Sequence, residues 1–147
     1  MALGDWLDSG ILASHTPSRS EIAALLAIVD RDLRDCRARG LSPEWQLSIA
    51  YNAILQAATA ALAATGYRVR RREGGHHHTL ESLRHTVGIE ADVLQVADAL
   101  RKKRHLSDYV RAVAVSQQEA DESIALAVRL CAEITIWLRG QHADLVE

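Results

Sequence analysis

The chain of 147 residues has no Phe, two Pro and two Cys, and neither sign of charge prevails. Two cysteines, Cys36 and Cys131, are too few for the disulfide framework of a small secreted domain. So little proline, with Ala and Leu abundant, leaves long stretches free to be helical. Lys and Arg number 17 against 19 Asp and Glu, a net charge of −2, which fits neither a basic nucleic-acid coat nor an acidic tail. CxxC, HExxH, GxGxxG, P-loop and GxSxG patterns are all missing, so the enzyme classes built on them have no support. The most apolar stretch, 53–65, is broken by Gln56 and Thr59 and falls short of the ~20 residues of a membrane span. The start, Met-Ala-Leu-Gly-Asp-Trp-Leu-Asp, holds acids and no base, unlike the basic opening of a signal peptide. A cytoplasmic chain without membrane association is expected.

What is present is helical punctuation. The sequence predicts a single domain over 1–147 with all-α architecture, an up-and-down bundle of four to five main helices. A short amphipathic helical segment over 3–13 comes first, carried by Trp6, Leu7 and Ile11. Ser18 and Glu21 fit a capping box that opens a helix with the apolar stripe Ile22, Leu25, Leu26, Val29, Leu33 and Cys36, stopped by Gly40. Ser42 and Pro43 open a second helix that runs to Thr65, with Gly66 past its end and the stripe Leu47, Tyr51, Leu55, Ala58 and Leu62. A basic, flexible break follows over 67–75, then a short helix over 79–87 and another over 89–105. After a loop over 106–115, a second capping box at Ser116 and Glu119 opens the last helix, to Arg139, with the stripe Ile124, Val128, Cys131, Thr135 and Leu138. Both cysteines lie on apolar stripes, as small core residues do.

Three segments could carry chemistry. In the helix over 89–105, Val93, Ala97, Leu100 and Arg104 follow at steps of four, three and four, so Arg104 sits where an apolar residue belongs. A guanidinium on that face needs a phosphate or carboxylate partner, unless it snorkels at the helix end. Arg68, Arg70, Arg71 and Arg72 crowd one loop, which suits phosphate contacts or a merely solvated turn. His76, His77 and His78 are adjacent; imidazoles work as acids, bases and ligands near neutral pH. Neighbours on a helix do not face one another, and no complete zinc-ligand pattern occurs, so neither metal nor cofactor is expected. If the helices over 79–87 and 89–105 pack antiparallel across Gly88, the histidines and Arg101, Arg104 and His105 meet at one end of the bundle, beside Arg68–Arg72.

The helix order, the Gly-Gly-His-His-His turn before a short helix, and Ala-Leu-Arg-Lys-Lys-Arg104-His105-Leu-Ser-Asp108-Tyr109 together resemble a HEPN domain (higher eukaryotes and prokaryotes nucleotide-binding) over 18–139. The resemblance implies a dimerising helical bundle, in many members a metal-independent ribonuclease of toxin–antitoxin and defence systems. Arg104 would hold the scissile phosphate, with Arg101 and Arg68–Arg72 as further phosphate contacts. His105, His77 or His78 would move the proton, and Tyr109 would hydrogen-bond nearby. A homodimer, RNA and an antitoxin of the nucleotidyltransferase type are the implied partners. The chain departs from the family's Arg-x4-6-His signature: counting from Arg104, Tyr109 holds the place of the catalytic His. The bare spacing also recurs from Arg72 to His77, in the Gly-Gly turn. The alternative is a non-catalytic dimerisation or partner-binding module that keeps the Arg104 region for structure. Wide apolar stripes and three tryptophans, Trp6, Trp45 and Trp137, argue for a two-fold dimer with the helix over 89–105 at or beside the interface.

Overall fold

Alanine-rich helices can approach one another closely, and the chain is organised around one of them. The computed structural model describes residues 2–70, 74–109 and 114–146. Its elements are α1 (Ala2–Asp8), β1 (Leu12–Ser14), α2 (Arg19–Asp35), α3 (Pro43–Thr65), β2 (Tyr67–Val69), α4 (Gly75–Ser82), α5 (Ala91–Tyr109), α6 (Gln117–Gln141) and α7 (Ala143–Val146). The fold is all-α, with one short two-stranded ribbon.

Helix α3 is the axis, packed mainly between α2 and α6, with α4 and α5 against it as well. Pro43 stands in its first turn, Ser42 Oγ accepts from Trp45 N, and Gly66 closes it at φ 100°, a backbone angle that favours glycine. Its expected stripe of Leu47, Tyr51, Leu55, Ala58 and Leu62 is buried, but so are Ala50, Ala53, Ile54, Ala57, Ala60 and Ala61. Burial of the helix extends well beyond the one face that the spacing of its large residues suggested, leaving a half-buried strip that includes Asn52 and Gln56. Unbroken from Pro43 to Thr65, it is also long and apolar enough to cross a membrane, contrary to the reading of 53–65 alone; most of that surface is buried within the fold.

Helix α2 starts as expected, with Ser18 Oγ accepting from Glu21 N at 3.1 Å. The reciprocal half of that capping box does not form, because the Glu21 carboxylate turns to His15 Nε2, 2.8 Å from both its oxygens. The box of α6 is complete: Glu119 N donates to Ser116 Oγ and Ser116 N to Glu119 Oε1. On α6 the buried face is Ala120, Ser123, Ala127, Leu130, Cys131, Ile134 and Leu138, whereas Val128 is exposed. Small residues, Ala120, Ser123 and Ala127, make up the first half of that face and Leu130, Ile134 and Leu138 the second. Cys36 and Cys131 are both buried, and burial pushes the Cys131 thiol up to about 12, the behaviour of an inert core thiol.

Four stretches depart from the sequence reading. The helix expected over 3–13 stops at Asp8; Gly10, at φ 82°, turns the chain into β1. The basic break over 67–75 begins as a strand, β2, antiparallel to β1 with Leu12 opposite Val69, Ala13 opposite Arg68 and Ser14 opposite Tyr67. Three-residue strands are too short to show a period of two. The short helix begins at Gly75 and not at 79, so the histidines lie in its first turn, and α5 runs on to Tyr109 past the expected end at His105.

Candidate functional site

The first turn of α4 sets the site. Successive residues on a helix point about 100° apart, so three adjacent histidines address different walls. His76 turns to the Tyr51 ring of α3, with centroids 6.2 Å apart. His77 Nδ1 lies 3.0 Å from Asp98 Oδ1 of α5. His78 meets the Trp6 indole of α1 edge-on at 5.6 Å, and His85 approaches the same indole from another side.

Asp98 is the hub on α5. Arg101 Nε donates to its Oδ1 at 2.6 Å and Nη2 to its Oδ2 at 3.4 Å, while Lys102 Nζ lies 3.6 Å from Oδ2. Burial alone would raise the Asp98 carboxyl, but hydrogen bonds and charges from Arg101 and His77 outweigh it and hold it at about 2. The ionised Asp98 in turn raises Arg101. Asp98 fixes the orientation of the imidazole through Nδ1, and the side chain of His77 remains 44% exposed. A ring held in this way presents Nε2 for proton exchange.

Arg104 reaches back to α3. Its Nε donates to Ser48 Oγ at 3.1 Å, and Cζ lies 5.3 Å from the centroid of the Tyr51 ring, within cation–π range. Tyr51 is fully buried, and its hydroxyl has no hydrogen-bond partner among the described residues. Burial pushes that phenol up to about 12, against the lowering charges of Arg104 and Arg101. Desolvation of its covered face, with the Arg104 and Arg101 charges, lowers His76. Lys103 pairs with Glu119 at 3.2 Å and ties α5 to the start of α6. The basic run 101–104 is therefore held side chain by side chain. Arg101 and Lys102 share the single carboxylate of Asp98 among the described residues, a positive balance suited to a phosphate.

No family model, curated protein or solved structure matches the chain.

Of the residues singled out in the sequence, His76, His77, Arg101 and Arg104 come together at the junction of α3, α4 and α5. His78 is next to them but faces α1, with its ring against both Trp6 and His77. Arg68 and Arg70 do not join the cluster; they line a cavity beneath β2 that shares only His76 with it. Arg71 and Arg72 lie outside the described residues. His105 and Tyr109 belong to the last turns of α5, and their side chains likewise lie outside the described residues. Asp98, one of the carboxylates a purely structural Arg104 was expected to pair with, is instead paired with His77, Arg101 and Lys102, and Tyr51 and Ser48 were not foreseen as parts of the site. Asp98 had a local signal, three and four residues before two cations; Tyr51 and Ser48 are joined to Arg104 only by the packing of α3 on α5.

Proposed function

We propose that the chain is a HEPN-like protein that binds RNA or a nucleotide phosphate at the α3–α4–α5 junction, as a homodimer, with metal-independent cleavage of RNA as its chemistry. The observation that carries this reading is the exposed His77 held by Asp98 beside Arg101, Lys102 and Arg104. A general base needs an oriented imidazole, and a phosphorane-like transition state needs fixed positive charge. In this mechanism His77 Nε2 takes the proton of the RNA 2′-hydroxyl, and that oxygen attacks phosphorus. The bond from phosphorus to the 5′-oxygen breaks, leaving a 2′,3′-cyclic phosphate, and the departing oxygen takes a proton from water. The cations neutralise the charge gathering on the phosphoryl oxygens. The toxin–antitoxin or defence setting, and a nucleotidyltransferase-type antitoxin as partner, rest on the resemblance of 101–109 to the family signature.

The test is incubation of the purified protein with single-stranded RNA in EDTA. Cleavage with a cyclic phosphate end is expected, and His77→Ala should slow it by about 100-fold, the usual scale for losing a general base. A second reading, a non-catalytic helical module, is favoured by the packing of Arg104 on Ser48 and Tyr51. It predicts that wild type leaves RNA intact with and without metal, and that Arg104→Ala destabilises the fold by about 1–3 kcal/mol.

A further inference from the structure

Beneath the ribbon lies a cavity of about 510 Å³, with His76 in its wall. That volume falls in the range of roughly 300–1,000 Å³ typical of small-molecule sites. Leu62 and Ala63 of α3, with Tyr67 and Val69 of β2, supply its apolar surface. Its polar rim is of one kind. Thr59 and Thr79 also line it, but each hydroxyl donates to a carbonyl of its own helix, Leu55 O and Gly75 O, at 2.8 Å. Glu21 is engaged by His15 through both carboxylate oxygens. The side-chain donors left for a ligand are Arg68, Arg70, His76 and the Tyr67 hydroxyl. Arg68 and Arg70 are exposed, and their guanidinium groups have no hydrogen bond or ion pair among the described residues. Two arginines face the single carboxylate of Glu21, so the balance around the cavity is positive in either form of His15.

We propose that this cavity is a binding site for a small organic monocarboxylate, its apolar body against Leu62, Ala63 and Val69 and its carboxylate held by Arg68 and Arg70. The planar fork of a guanidinium matches a carboxylate in two parallel hydrogen bonds, and Arg68 and Arg70, the exposed positions that alternate with half-buried Tyr67 and Val69, stand together at the outer edge of the cavity. Apolar burial supplies affinity, and the arginines select the anion. This site shares only His76 with the junction at Asp98, and the arginines that would hold the carboxylate belong to the cavity alone, so it does not depend on the chain handling RNA.

The test is calorimetric titration of the full chain with 2-naphthoate and decanoate, and with 2-naphthalenemethanol as the neutral counterpart of the first. One saturable site is expected for a carboxylate, with the neutral alcohol about tenfold weaker or more, the scale of one charge-assisted contact. Arg68→Ala with Arg70→Ala should weaken the carboxylate by about tenfold or more and leave the alcohol unchanged. Ala63→Leu should abolish both by filling the space; the arginine pair, being exposed, keeps the test open if that core change impairs folding. Any of three results would overturn the proposal: no saturable binding of either carboxylate up to about 1 mM, the weak end of specific affinity; an alcohol bound as tightly as 2-naphthoate; or carboxylate binding unchanged without the two arginines.

Discussion

At the scale of single residues, Asp98 decides most. Its hydrogen bonds to Arg101 and His77 hold it at about 2 in the fold, against about 3.9 for an unfolded Asp. A carboxyl depressed by folding contributes stability that is fully present above the unfolded value and is lost as pH falls through the folded one. The difference corresponds to about 2–3 kcal/mol, lost between about pH 4 and pH 2. Asp98→Asn should therefore cost about 2–3 kcal/mol near neutral pH and remove part of the acid sensitivity in that window, as read by denaturant melts across pH. An unchanged acid limb would show that the Asp98 pairings do not persist in solution. His76, His77 and His78 show how far residue-scale reading reaches. That adjacent helical histidines cannot converge follows from helix geometry alone. Which wall each one meets does not, because Tyr51, Asp98 and Trp6 are remote in the chain.

At the scale of elements, the capped ends of α2, α3 and α6 were legible, and the end of α5 and the short pieces were not. Ser42-Pro43, Gly66 and Ser116 with Glu119 act through local hydrogen bonds and local backbone angles, so their signals lie within four residues. Ser116→Ala should cost about 1 kcal/mol of stability, the usual worth of such a cap, measurable by chemical denaturation. A loss below ~0.3 kcal/mol would show that the start of α6 is held by its packing instead. The β1–β2 ribbon had no comparable signal, because its hydrogen bonds join residues more than 50 positions apart. Helix α4 begins four residues early for a related reason. Gly74, in a left-handed conformation, closes its start without any side-chain cap, so there was no Ser, Thr, Asp or Asn to read. The buried face of α6 was misjudged because Ala120, Ser123 and Ala127 are small, and closeness to α3 matters more there than hydrophobic bulk.

At the scale of the whole molecule, the all-α architecture was legible from composition and helix punctuation, and the meeting of His77 with Arg101 and Arg104 from one assumption about packing across Gly88. The route of Arg68 and Arg70 into a separate cavity was not, since it depends on the ribbon. Trp45 and Ile136 are 64% and 69% exposed, and Val96 of α5 is exposed as well. A two-fold dimer with α5 at or beside the interface is expected; light scattering showing a monomer at tens of micromolar, roughly where weak and stable pairs separate, would count against it.

The central claim is that the junction organised by Asp98 receives phosphate. Its most direct measurement is a fluorescence-anisotropy titration of labelled single-stranded RNA, at two salt concentrations, with wild type and Arg101→Ala. Arg101 pairs with Asp98, so its removal takes away one cation and leaves the carboxylate less neutralised. The account predicts saturable, salt-sensitive binding to wild type and a loss of about tenfold or more in the variant, the scale expected for a charge-assisted phosphate contact. Equal affinity for the two proteins, or no binding by wild type at low salt, would contradict it.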